Sequence, residues 1–458
     1  MVSAREWAWE TFGSAQLGDA RRVSRLVTLA EAAAEKPGCR LTDVCRNAAE
    51  REGGYRWLER GKVHADALSQ AIVDATARRC TGLKQLIVPV DQTGISVVDR
   101  QGKKKIGRTV FKDSARQGLQ VMTALALDHR GAPLGVIGQK FWRRADEVSL
   151  KRRKDRRPPE QRESVLWELA LDQCLATLGQ HADAPRPWFQ LDRGADSNRV
   201  LLWANEQRAR ADVTFRSSSE RTLDTGKPLR KSIRRQKPDG RVDVFVPASR
   251  GRGRQRPARI ARCDVRFAQV VIAPGRHHER IRVSVVHVRE QRRHKRRLNW
   301  WLITTKSVRS LKQALEIVRG YTLRWKIEGF HYAWKTGACD VESSQLRSTN
   351  AFQCWATVLS AVAARVERLK HLSRTEPDLP FVVELTRYEV DAAIILSRTN
   401  KHRVGDELTI GQAVRLIGII GGHMGYPSAG HPGTKVIARG FERVLAAAEV
   451  AEQMRGSG

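Results

Sequence analysis

Apolar positions recur along this chain in two periods, and the switches between them outline its elements. Residues 1–70 carry apolar side chains at helical spacing and predict short helices, with Asp19 placed as an N-cap and Arg21, Arg22 and Arg25 close behind it. Residues 84–91, Lys-Gln-Leu-Ile-Val-Pro-Val-Asp, predict a buried strand that delivers Asp91 at its C-terminal end. Residues 118–127 and 134–142 predict two more strands around the turn Asp128-His-Arg-Gly131. A charged loop (143–162, containing Lys151-Arg-Arg-Lys-Asp-Arg-Arg157) leads to a helix at 163–178. Trp188-Phe-Gln-Leu-Asp192 reads as another strand ending in a carboxylate, followed by a helix over 197–208 and a strand over 212–216. Strands and helices in this order predict a mixed α/β sheet, whose strand ends are the usual seat of chemistry.

The pattern changes over 217–299. Residues 241–246, 260–272 and 281–288 alternate with the period of two that marks half-buried strands. Between them lie basic stretches: Arg230-Lys-Ser-Ile-Arg-Arg235, Arg250-Gly-Arg-Gly-Arg-Gln-Arg256 and Arg292-Arg-His-Lys-Arg-Arg297. This reads as an inserted antiparallel β subdomain. Residues 300–305 return to the main sheet as a strand, and a helix at 308–319 passes through Gly320 into residues 321–335. At about 100° per residue, Tyr321, Arg324, Glu328 and Lys335 fall within an arc of roughly 60°, opposite a stripe of Leu323, Ile327, Phe330 and Trp334. Residues 340–371 predict a long helix, 372–378 a linker, and 379–458 a mostly helical tail. The domain reading is therefore 1–72 helical, 73–371 α/β with the insertion, and 372–458 helical.

Composition sharpens the functional side. Lys plus Arg number 83 against 49 Asp plus Glu, a net charge of +34 on 458 residues. Residues 217–300 alone hold 24 Lys/Arg and 7 Asp/Glu, which concentrates +17 there. Such a field attracts polyanions, through phosphate contacts and counterion release. No apolar run reaches the roughly 18 residues of a membrane span, the N-terminus has no apolar signal core, and the seven cysteines are scattered without a Cys-x-x-Cys pair. A reducing cytoplasm, a nucleic-acid partner and no membrane are the expectations.

Asp91, Asp192 and Glu328 are three hard oxygen donors that a sheet and a packed helix can bring together. They suit Mg²⁺, with Mn²⁺ as a substitute, rather than zinc. Two such ions stabilise the attacking and leaving oxygens of a phosphodiester displacement. Arg324 and Lys335 can hold the flanking phosphates, and Trp300 and Trp325 can stack on an extruded base. The plain alternatives are a solvated Arg324–Glu328 pair and tryptophans that only fill the core.

The spacing Tyr321-x2-Arg324-x3-Glu328-x6-Lys335 resembles the Y-R-E-K element of bacterial DDE transposases, in particular the insertion-sequence-four family that includes the transposon-five transposase. Asp91-Gln-Thr93 and Leu191-Asp192-Arg193-Gly-Ala-Asp196 look like its two Asp boxes. Leu17-Gly-Asp-Ala-Arg-Arg22 is similar to its N-terminal DNA-binding helix, and Trp300 is similar to the tryptophan that stacks on a flipped base in hairpin-forming members. Gly421-Gly-His-Met-Gly425 and Pro432–Gly440 resemble its tail, so the likeness runs over nearly the whole chain. It implies an RNase H-like core with a β insertion, with Asp91, Asp192 and Glu328 catalytic and binding two Mg²⁺. It also implies DNA contacts from Tyr321, Arg324, Lys335, Trp300, Trp325, Arg21, Arg22 and Arg25. The implied protein is a homodimer that pairs two transposon inverted-repeat ends, cuts them through DNA hairpins and joins them to target DNA, near the bacterial nucleoid. The rivals are a domesticated, catalytically silent DNA-binding relative and a basic RNA-binding or structural protein.

Overall fold

The computed structural model describes residues 3–38, 40–97, 117–143, 165–251, 254–274, 279–292, 297–398 and 400–456. The charged stretch Lys151–Arg157 and parts of two basic loops (252–253 and 293–296) lie outside them.

The first elements are helices: α1 (Ala4–Phe12), α2 (Ala20–Glu35), α3 (Leu41–Val44), α4 (Ala48–Glu59) and α5 (Ala65–Cys80). Ser3 and Glu6 close a reciprocal cap on α1, and the Asp19 carboxylate accepts the Arg21 amide at 2.8 Å, as its position before Ala20 predicts. The sheet follows with β1 (Leu86–Val97), β2 (Gln117–Leu127), β3 (Pro133–Trp142), α6 (Val165–Leu178), β4 (Pro187–Leu191), α7 (Asn198–Glu206) and β5 (Asp212–Arg216). Then come α8 (Leu229–Arg234), β6 (Gly240–Val246), β7 (Ser249–Gly251), β8 (Arg254–Arg256), β9 (Arg259–Ile272), β10 (Ile281–Glu290) and β11 (Asn299–Thr304). The chain ends in helices α9 (Leu311–Leu323), α10 (Lys326–Lys335), α11 (Thr349–Thr375), α12 (Arg387–Ser397), α13 (Ile410–Ile420) and α14 (Thr434–Gly456).

Among the described residues one nine-stranded sheet runs β3-β2-β1-β4-β5-β11-β10-β9-β6. β1, β4 and β5 are parallel, and β1, β2 and β3 antiparallel, so this half is consistent with an RNase H-like core with helical segments at both chain ends. The basic insertion is antiparallel β, and its strands β6, β9 and β10 extend the same sheet through β11 rather than forming a separate one. Its first basic stretch is not a loop. It forms α8, held by buried Leu229 and Ile233, with Arg230 and Arg234 over the Trp301 ring at 5.7 and 5.5 Å.

The alternation along each strand sorts the core onto two faces. Val88, Val90, Phe189, Leu191, Phe215 and Trp301 pack toward α6 and α7. Ile87, Ile95, Trp188, Trp300 and Leu302 pack toward α9, α10 and α11. The second core continues into Trp7, Phe12, Leu26 and Leu29, so the N-terminal helices share it.

Four details differ from the sequence reading. β1 does not stop at Asp91 but runs to Val97, because β2 goes on pairing with it. Residues 321–335 are two helices, α9 and the shorter α10, rather than one. At the join Arg324, Trp325, Ile327 and Glu328 donate to Tyr321, Thr322, Arg324 and Trp325, bonds of the tighter three-residue kind. Gly320 does not interrupt α9. It lies against Trp188, whose ring would stand 2.2 Å from an added Cβ. The long helix begins at Thr349, not near 340, and covers the expected linker as far as Thr375.

Candidate active site

Strand parity and register bring the site together. Asp91 shares its face of β1 with Ile87 and Ile95, and Asp192 continues the β4 face of Trp188, so both side chains fall on the face covered by α9 and α10. The parallel register pairs Val90 with Leu191, which sets Asp91 beside Asp192 on strands about 4.8 Å apart. Asp192 leaves the strand as the cap of the turn Arg193–Ala195 and accepts the Gly194 amide at 2.6 Å. From the other side the α9–α10 join delivers Arg324 and Glu328.

Arg324 is the hub. Its guanidinium is 3.8 Å from Asp91 and 2.8 Å from Glu328, and it lies over the Tyr321 ring at 5.9 Å. Burial alone would lower its pKa, but Tyr321, Asp91 and Glu328 outweigh that and raise it. Its buried Nε has no partner among the described residues. Asp91 is pushed up to about 7: burial dominates, Arg324 opposes, and Asp192 and Glu328 add like-charge repulsion. Asp91 is thus close enough to feel both of the other carboxylates. Tyr321 is driven to about 12 by burial, against the pull of Arg324 and Arg216.

The other expected residues divide. Trp300 is 5% exposed, edge-on to Tyr321 at 5.0 Å and to Trp325 at 5.5 Å, so it sits inside an aromatic cluster rather than in the open. Trp325 is half-buried and, with Glu328, Gly329 and Tyr332, lines a groove of about 720 Å³ that reaches Val244 and Phe245 of the edge strand β6. Lys335 turns back to β1, donating to the Gly94 carbonyl and to Thr93 Oγ1, and pairs with Glu342 at 3.4 Å. Arg21 is open to solvent beside Asp19. Arg22 donates to the Leu17 carbonyl at 2.8 Å, and the Arg25 head group lies over Gly53 of α4. These three are far less alike in structure than in sequence.

Two groups escaped the sequence reading. Arg216, at the end of β5, acts electrostatically with Tyr321, Arg193, Arg324 and Asp192; burial first, and then the two arginines, lower its pKa. The signal was available, since Arg216 follows buried Phe215 and so takes the Asp91 face of the sheet. Glu342 carried no such signal, because it lies in a short turn after α10.

The donor chemistry fits a hard divalent cation. All three candidate ligands offer oxygen, the donor type that such a cation prefers. Among the described residues, however, no group of three or more His, Cys, Asp or Glu side chains is gathered closely enough to hold an ion. Here the Arg324 guanidinium stands between Asp91 and Glu328. Among the described residues no helix is long and apolar enough to cross a membrane. Residues 4–63, which hold α1 to α4, match a family model described as transposase DNA-binding. That match supports a transposase with DNA as its partner.

Proposed function

We propose that the chain is a DDE transposase of the insertion-sequence-four type, which cuts transposon ends and joins them to target DNA by a cut-and-paste route through hairpin ends. The observation that carries this reading is the register that sets Asp91 beside Asp192 while α10 brings Glu328 to the same side of Arg324.

Asp91, Asp192 and Glu328 would hold two Mg²⁺. When bound, the ions lower the pKa of the attacking water or 3′-hydroxyl and stabilise the departing 3′-oxygen. The protein's own groups orient the strand. Arg324, with its spare Nε donor, and Lys335 grip the phosphates beside the scissile bond, exchanging their present partners for them. Tyr321 walls the pocket and keeps its proton at neutral pH, so it serves as a donor rather than a base. Trp325, facing the groove, meets an extruded base first, and Trp300 supports it edge-on from behind. Arg21 supplies a phosphate contact from the N-terminal helices, and a homodimer pairs two ends so that each is cut within one complex.

The test replaces Glu328 with Ala and follows Mg²⁺-dependent nicking of the inverted repeats that flank the gene. Loss of nicking with DNA binding kept is expected, and undiminished cutting would remove Glu328 from the site. Trp300→Ala should impair hairpin formation while sparing the first nick; equal loss of both would assign Trp300 to packing.

The second reading is a catalytically silent DNA-binding relative. The Arg324 bridge between Asp91 and Glu328 favours it. It predicts a protein that shifts end DNA and never cuts it, with Mg²⁺ or with Mn²⁺.

A further inference from the structure

Beside the start of β1, at the neighbouring edge strand β3, a cavity of about 340 Å³ opens between α1, α5, the start of β3 and α11. Its place is fixed by register: Pro133 pairs with Leu127 and Leu127 with Ile87, four residues or about 13 Å along β1 from Asp91. Three arginines line it, Arg79 from α5 and Arg365 and Arg368 from α11. Two carboxylates face them, Glu10 and Glu384. Only one of the carboxylates is tightly used. Arg368 pairs with Glu384 and also donates to the Pro133 carbonyl at 3.2 Å.

The other two arginines make no ion pair among the described residues, while Glu10 acts on Arg79 and the buried Glu389 on Arg365 only electrostatically. Arg79 spends one N–H on the Thr11 hydroxyl, a neutral partner, at 2.8 Å. Arg365 lies over the Trp7 ring at 5.5 Å, and its buried Nη1 has no hydrogen-bond partner among the described residues. Thr76 is fully buried on the same wall, and its hydroxyl has none either. Burial first, and then the neighbouring Arg78, Arg368 and Arg365 charges, depress the Arg79 pKa, with Glu10 as the opposing influence. Cations crowded in a half-enclosed site without full pairing are costly unless an anion joins them. The backbone also bends to make the space. The β2–β3 register slips between Ala126 and Leu127, leaving Leu134 as a bulge on the cavity wall, and Gly135 adopts φ +150° pressed against Thr76. Bulges of this kind recur beside functional sites.

We propose that this cavity binds a phosphate group, gripped by Arg79 and Arg365 with the Thr76 hydroxyl behind them, at a site separate from the three carboxylates. Its size suits a phosphate with a small organic body against Trp7 and Ile72. The same chemistry comes from two sources, a free small phosphate or a DNA backbone phosphate at the rim.

The test titrates inorganic pyrophosphate into the full-length protein by calorimetry, with EDTA present to keep the carboxylate site free of metal. Saturable binding at one site is expected, weakened at least tenfold by Arg365→Ala and unchanged by Glu328→Ala. Arg365→Lys, which keeps the charge and loses the planar fork, covers the case in which the alanine variant fails to fold; it should still weaken binding several-fold. Adding a random 30-base-pair duplex separates the sources. Displacement of pyrophosphate, with a salt slope for duplex binding reduced by about one in the Arg365 variant, identifies a backbone phosphate. Simultaneous binding identifies a free one. Pyrophosphate binding that is absent, or equal in wild type and the folded Arg365 variant, together with an unchanged DNA salt slope, overturns the proposal.

Discussion

The two halves of the sheet treat charge in opposite ways. Around β1 and β4 helices cover both faces, and β4 and the first five residues of β1 are fully buried, up to the half-buried Asp91. A carboxyl placed there loses its water, and Asp91 is pushed up to about 7 as a result. In β6 and β9 one face is open. Arg241, Asp243, Arg262 and the exposed pair Phe245 and Ile260 stand on it, and the Arg241–Asp264 pair at 3.6 Å spans adjacent strands near solvent. The covered half stores electrostatic stress that a cation or a phosphate can relieve. The open half offers contact surface at little internal cost. The proposed function assigns chemistry to the first and DNA contact to the second.

That contrast is most directly broken by substitution. Glu328→Ala should lower the Mg²⁺-dependent nicking rate by at least about a thousandfold, roughly 4 kcal/mol, with end binding changed little. Removing Arg262 and Arg266 together should do the reverse, weakening binding to all DNA and flattening its salt dependence by about two units while the cutting rate at saturation holds. If the open-face arginines prove as costly to chemistry as Glu328, the division fails.

Burial in the second half can be checked by pH. His287, on β10 and stacked on Trp301 at 3.8 Å, is held down to about 4, first by burial and then by nearby arginines, against the help of its Asn299 bond. Its unfolded pKa is near 6.5, so below that value the unfolded chain takes up a proton that the fold refuses. Stability conferred by His287 is present above pH 6.5 and falls between 6.5 and 4, by about 3 kcal/mol at most. Denaturant melts of wild type and His287→Gln should converge or cross over that window. Parallel pH curves would mean that His287 is already solvated.

Gly320→Ala tests the packing that aims α9. The new Cβ would meet the Trp188 ring at 2.2 Å, and Trp188 is anchored to Thr214 at 2.9 Å, so about 1–3 kcal/mol of stability should be lost in thermal unfolding. The smallest effect belongs to the open face. Arg241→Ala should cost less than about 0.5 kcal/mol, because the guanidinium is exposed and its pair with Asp264 is largely screened.

Much of this was legible in the chain. The strands read over 118–127, 134–142 and 212–216 match β2, β3 and β5 closely, because short apolar runs bounded by turn residues are a signal that local sequence carries. Of the three carboxylates, Asp192 does follow the end of its strand and Glu328 does lie on a helix, but Asp91 sits inside β1, because β2 goes on pairing beyond it. The break between Tyr321 and Glu328 was not legible. Arg324 and Trp325 keep helical backbone angles, and neither Gly nor Pro marks the join, so the tightening depends on contacts from elsewhere in the fold. The basic stretch 230–235 misled for a related reason: Leu229 and Ile233 are too few to announce a helix, yet they bury one. The arginine cavity was invisible, since its lining comes from segments as far apart in the chain as Trp7 and Glu384.

Under the proposed function, Asp91, Asp192 and Glu328 share bound metal once Arg324 yields its place. The most direct measurement loads the protein with Fe²⁺ in place of Mg²⁺, adds ascorbate and peroxide, and maps backbone cuts by mass spectrometry. Cuts clustered near residues 91, 192 and 328 are predicted, suppressed by excess Mg²⁺ and lost in Asp91→Asn. Cuts confined to one of those segments, or unaffected by Asp91→Asn, would contradict it.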